Sequence, residues 1–217
     1  MMDQLQMFAN YIRKLHDIVG RNETDNILNN SLFFVATGSD DLVDNYFLYP
    51  IKIIQYDIPS YASYLVSKAS AFIKELHGFG ARRIVILSLP PVGCMPTSRT
   101  LGGGKNRACA RLHNQAAKIF NKKLSAALDS LRSKSPPVNA VLADIYSPLL
   151  DVIENPQSYG NLSFQIDVYA YITFITKQLC VPLLPSSLTK IHLQISLSRN
   201  PITFLYHIKP TLSQKGS

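Results

Sequence analysis

Apolar residues at spacings of three and four divide the first three quarters of the chain into helical stripes. Asp3 to Val19 carries Leu5, Phe8, Ala9, Ile12, Leu15 and Val19 on one face, with Gly20 as its terminator. Tyr61 to Phe79 repeats the pattern through Leu65, Ala69, Phe72, Ile73 and Leu76, closed by Gly78 and Gly80. The longest stripe, about Arg107 to Arg132, places Leu112, Ala116, Ile119, Phe120, Leu124, Ala127, Leu128 and Leu131 inward and leaves Asn114, Lys118 and Lys122 on the other face. Three short continuous apolar runs lie between these helices: Leu32 to Ala36, Arg83 to Leu89 and Val138 to Ala143. They have no polar alternation, so each reads as a strand covered on both faces. Pro90-Pro91 ends the second run, Pro136-Pro137 precedes the third, and a short helix follows near Pro148 to Ile153.

Helix alternating with buried strand implies parallel strands joined by right-handed crossovers, an α/β doubly wound, flavodoxin-like sheet. In such sheets ligands gather at the carboxyl ends of the strands. The loops Gly38 to Asp41, Pro90 to Gly93 and Asp144 to Tyr146 are therefore expected along one rim, with a further loop from Gly93-Cys94 to Gly102-Gly103-Gly104. After Gly160 no period holds. Propensity alone suggests short strands around 164–175 and 191–197, and the domain is expected to span 1–160 with a divergent tail at 161–217.

The 217 residues suit one domain. The net charge of +8 raises nucleic-acid binding, but half of the excess lies in the tail, where Lys177, Lys190, Arg199, Lys209 and Lys215 face only Asp167. These charges are scattered, so solvated faces are expected and no nucleic-acid partner. The first residues offer neither a basic leader nor an apolar stretch, and Ile166 to Leu184 is broken by Asp167, Lys177, Gln178 and Pro182, so no stable membrane span is expected. Of three cysteines, Cys94 and Cys109 bracket a polar loop that is either closed by a disulfide or carries two free thiols, leaving Cys180 over. Closing a loop of about 15 residues contributes roughly 3 kcal/mol in the chain-entropy picture.

Four ordered blocks carry a resemblance. SLFFVATGSDDLVDNY (Ser31 to Tyr46), FIKELHGFGARRIVILSLPPVGCMPTSRTL (Phe72 to Leu101), CARLHNQAAKIFNKKLSAALDSL (Cys109 to Leu131) and ADIYSPLLDVIENPQSYG (Ala143 to Gly160) resemble the central blocks of the plant-type GDSL esterase/lipases, the SGNH hydrolases. The resemblance implies an SGNH hydrolase fold, truncated at both ends, and hydrolysis of carboxylic esters by a Ser/His/Asp mechanism on ester or lipid substrates. It implies no cofactor and no metal, and export of complete members to the extracellular space. Because the first residues read as no export leader, a product translated from Met1 is expected in the cytoplasm. Its sequons at Asn22, Asn29 and Asn161 matter only for an exported product.

Family chemistry needs a Ser in a Gly-Asp-Ser motif and a His three residues after an Asp. Neither occurs: His16, His77, His113, His192 and His207 follow Arg13, Lys74, Ala110, Thr189 and Phe204 at that distance. Without nucleophile and base the chain is expected to be inactive, with no catalytic residue of its own. The remaining oxyanion-hole elements are Gly38 and Asp40, the latter where the family usually has Asn; an ionised Asp cannot donate to an oxyanion. The alternative is a non-catalytic α/β remnant or interaction protein. Three further features favour plain structural roles: Ser39 as a loop cap, Gly102 to Lys105 as an exposed flexible loop and not a phosphate cradle, and Cys109 with His113 as a helix face or disulfide and not a metal pair. Nothing in the pattern fixes an oligomeric state.

Overall fold

The computed structural model describes residues 2–49, 51–134, 138–159 and 204–208. Asn161, Cys180, Pro136-Pro137 and the strands expected at 164–175 and 191–197 lie outside the described residues.

The chain runs through α1 (Met2–Val19), α2 (Arg21–Asn30), β1 (Leu32–Ala36), a π-helical segment (Asp41–Leu48), α3 (Ile51–Gln55) and α4 (Ile58–Gly78). It continues through β2 (Arg83–Leu87), α5 (Pro96–Gly102), α6 (Arg111–Ser133), β3 (Ala140–Ala143) and α7 (Tyr146–Glu154), and the last described element is β4 (Phe204–Ile208). The sheet order is β3-β2-β1-β4. The first three strands are parallel, with Phe33 opposite Ile84 and Ile84 opposite Ala140. The doubly wound α/β layout therefore holds for them, while β4 adds an antiparallel edge beside β1, with Phe34 opposite Tyr206.

Side chains alternate across each strand, and here both faces are apolar. Phe33, Val35, Ile84, Ile86 and Ala140 join the large core formed with α4 and α6, whereas Phe34, Val85 and Leu87 pack with Ile145 and Leu149 on the opposite side. Phe33, Phe120, Ile73, Leu76, Ile84, Ile86 and Leu124 are fully buried, each worth about 1.5–3 kcal/mol of transfer free energy. α4 begins at Ile58, earlier than its apolar stripe suggests, because Asp57 caps it by accepting from Ser60 N at 2.8 Å and Pro59 stands in its first turn.

Several segments differ from expectation. Gly20 joins two helices: at φ 78° it lets α2 start at Arg21, and its carbonyl accepts from the Thr24 hydroxyl at 2.8 Å. The loop expected after β1 turns helical at Ser39 and continues as the π-helical segment. The loop expected between Gly93 and Gly104 holds a 3-10 turn at Val92–Cys94 and then α5, which runs to Gly102. Gly103 is packed against backbone, since a Cβ there would lie 2.2 Å from the Ala108 carbonyl oxygen, while Gly102 ends α5 and Gly104 and Lys105 form an exposed turn.

The rim at the carboxyl ends of the strands

Because β1, β2 and β3 are parallel, the segments that follow them leave the sheet on one side. After β1, Gly38 adopts φ 99°, and a Cβ at that position would sit 3.2 Å from Phe120 Cζ and 3.5 Å from Leu89 Cδ2. Glycine is needed there for both conformation and space. Leu42 N donates to the Gly38 carbonyl at 3.0 Å and starts the next helical turn. Asp40 and Asp41 follow at once. Burial, reinforced by Asp44 and Asp41, pushes the Asp40 carboxyl above its ordinary range. Burial also raises Asp41, opposed by the amide of Asn45, which donates to Asp41 Oδ1 at 3.2 Å. Ser39 makes a helix start here, not a turn within a loop.

After β2 the chain is tied down by α6. Leu89 N donates to Asn121 Oδ1 at 2.6 Å while Asn121 Nδ2 donates back to the Leu89 carbonyl at 2.9 Å. One turn pair earlier, Asn114 Oδ1 accepts from Gly93 N at 2.7 Å and its amide reaches Cys94 Sγ at 3.5 Å. Asn114 thus points into the loop it supports, and not onto the outward polar face expected from periodicity. The signal available was the pair Asn114 and Asn121, seven residues apart on one helix face. Cys94 and Cys109 form a disulfide with Cα atoms 4.2 Å apart.

After β3, Asp144 Oδ1 accepts from Tyr146 N at 2.8 Å and Ser147 N at 3.3 Å, starting α7. Ser88 links the strand ends: its hydroxyl donates to Asp144 Oδ1 at 3.3 Å and accepts from Ile145 N at 2.9 Å. Burial pushes Asp144 upward, but the hydrogen bonds from Ser147, Tyr146 and Ser88 outweigh it and leave the carboxyl below its ordinary range. A cavity of about 580 Å³ opens beside these strand ends, lined by Ser88, Asn121, Asp144, Tyr146 and Lys118, whose ammonium lies 5.4 Å from the centre of the Tyr146 ring.

One Ser–His hydrogen bond occurs among the described residues, and residue spacing alone did not reveal it. His113 Nδ1 lies 2.9 Å from Ser98 Oγ. Ser98 is fully buried, and the imidazole stacks on Phe47 with ring centres 3.7 Å apart, so no ester has access to the hydroxyl. Burial lowers the affinity of His113 for a proton, and a Cβ at Gly102 would lie 3.5 Å from its Nε2. The pair clamps α5 to α6. Cys109 is occupied by its disulfide and His113 by Ser98, and no group of three metal-ligating side chains occurs among the described residues.

A doubly wound sheet whose three post-strand segments converge on such a rim belongs to the flavodoxin-like α/β class of scaffold. The GDSL-like Lipase/Acylhydrolase family model matches residues 1–171. Among curated proteins of Arabidopsis thaliana, the chain is 46% identical to GDSL esterase/lipase EXL3 over 73% of its own length and 43% of that protein. It is 42% identical to GDSL esterase/lipase EXL2 over 72% of the chain and 41% of the relative, and 44% identical to GDSL esterase/lipase At3g14820 over 74% and 44%. The chain belongs to the GDSL-like lipase/acylhydrolase family, and it spans less than half the length of these relatives.

Proposed function

We propose that this chain carries the central layers of a GDSL ester hydrolase and does not by itself turn over esters. The family reaction is hydrolysis of a carboxylic ester, which requires a nucleophile with a base in hydrogen-bond reach and donors aimed at the oxyanion. The observation that carries the inactive reading is the setting of the Ser98–His113 pair: the hydroxyl is buried and the imidazole is covered by Phe47. The Gly38 and Asp40 segment is the remnant of the oxyanion site in this reading. Its carboxyl is a donor only when protonated, whereas an amide donates in its only form, so the two are not equivalent as oxyanion donors.

Export to an oxidising compartment fits this reading better than residence in the cytosol. The Cys94–Cys109 disulfide supports it, as do Asn22 and Asn29, both exposed on α2. The decisive experiment treats the purified chain with short-chain p-nitrophenyl esters and a fluorophosphonate probe. Background hydrolysis and no labelling are expected, and unchanged by Ser98→Ala. Saturable turnover with labelling at one serine would overturn the proposal.

A further inference from the structure

The segment between the π-helix and α4 presents apolar side chains to solvent. α3 buries none of its residues, and Ile51, Ile53 and Ile54 are 65%, 47% and 84% exposed. Leu48 and Tyr49 precede them at 40% and 60%, and Leu112 on the first turn of α6 is 58% exposed. A cavity of about 540 Å³ runs from this tip between α3, the start of α4 and α6, lined by Ile53, Ile54, Ile58, Leu112 and Ile119. Scattered exposed apolar residues are ordinary, but contiguous ones on one projecting turn mark a binding surface.

Cations lie on and near the tip. Lys52 is on α3 itself, Arg111 adjoins Leu112 in sequence, and further along α4 the Lys68 ammonium sits 5.4 Å from the centre of the Tyr64 ring. Lys123 stands at the same corner, near enough to help the Ser60 hydrogen bonds hold the Asp57 carboxyl down. Against these four cations stand the exposed Asp44 and Asp57, while the half-buried Asp40 and Asp41 lie further back, at the root of the same segment. Apolar tips, the stacked rings of Tyr56 and Tyr64 and a cationic collar match the layers of a lipid–water interface: acyl chains, headgroup boundary and anionic surface. A second copy fits badly, since a two-fold contact would place each collar against its own image. A five-residue helix also offers little of the area that a stable protein interface needs.

We propose that α3 and its flanks form a docking surface for an anionic lipid interface, with Ile51 and Ile54 entering the headgroup boundary and the collar meeting the phosphates. This goes beyond ester hydrolysis and holds whether or not the chain is active. The test is co-sedimentation of the full chain with phosphatidylcholine vesicles, with and without phosphatidylserine, at low and high salt. Binding is expected, stronger with phosphatidylserine and weaker in salt. Ile51→Ser with Ile54→Ser should lower the partition coefficient by roughly tenfold or more, and Lys52→Glu with Arg111→Glu should remove the phosphatidylserine preference. Ile18→Ser is the control: Ile18 is 78% exposed on α1, which packs through Phe8 against Phe79 near the opposite end of the sheet. The melting temperature of the isoleucine variant should match that of the unsubstituted chain, because α3 buries nothing. Absence of vesicle binding, binding that survives the isoleucine substitutions, or a dimer in light scattering that those substitutions dissolve would each overturn the proposal.

Discussion

The segments that follow β1 and β2 leave the sheet at the same level and lead into neighbouring helices, yet they are held in opposite ways. The one after β2 is bound at every step: Asn121 brackets Leu89, Asn114 holds Gly93, the disulfide joins Cys94 to Cys109, and Ser98 meets His113. The one after β1 is anchored near its root, where Gly38 lies against Phe120 and Tyr46 is buried, and then lets go, so that α3 stands in solvent with its isoleucines outward. Buried polar groups must be satisfied, so a segment that enters the interior acquires a fixed conformation. A segment that remains outside keeps its apolar side chains available for something else.

The contrast is most easily broken at Gly93. A Cβ there would lie 2.2 Å from the Ala110 carbonyl oxygen and 2.8 Å from Asn114 Oδ1, and the backbone contact cannot relax by a rotamer change. Gly93→Ala is expected to cost more than about 4 kcal/mol or to yield no folded protein, read by chemical denaturation. Opening the disulfide through Cys94→Ser with Cys109→Ser comes next. The sulfurs close a separation of 15 residues, and the expected loss is roughly 3 kcal/mol. A similar fall in melting temperature should follow treatment of the unsubstituted chain with dithiothreitol. Asn121→Ala removes both bonds to the Leu89 backbone, which is 1% exposed. Leaving that N–H and carbonyl unpaired is expected to cost about 2 kcal/mol. If all three changes were mild, the post-β2 segment would be no more constrained than its neighbour and the comparison would fail.

Apolar periodicity made the sheet legible. The runs at Leu32–Ala36 and Arg83–Leu87 are strands as expected, the stripes give α1, α4 and α6, and four motif blocks led to the family. What stayed hidden has physical causes. α2 is rich in Asn and has a weak stripe, so its helix depends on Ile27 and Leu28 reaching the interior. α5 begins with proline and ends in glycine within a segment that reads as a turn, and only its attachments make it helical. β4 depends on pairing with β1 across a long separation in sequence, which no local pattern encodes. At the rim, Gly38 and Asp40 were identified from the motif blocks, but the roles of Asn114, Asn121, Ser88 and His113 follow from tertiary contacts alone.

The smallest effect is expected where the looser segment begins. Asp40 gains part of its raised proton affinity from burial and the rest from Asp44 and Asp41, so ionising it works against folding. In the unfolded chain the carboxyl returns to its ordinary value of 3.8. The proton-bound form is therefore favoured by the folded state: the associated stability is fully present below that pH and is lost as pH rises through the higher folded value. Asp40→Asn removes the penalty and keeps the shape. Partial solvation discounts the gain, so at pH 7 its melting temperature should exceed that of the unsubstituted chain by only on the order of 1–2 °C. The two curves should converge as pH falls towards 4, the ordinary carboxylate range. A constant difference across that range would mean that the substitution acts through packing, and that the acid cluster at Asp40, Asp41 and Asp44 does not loosen the start of the post-β1 segment.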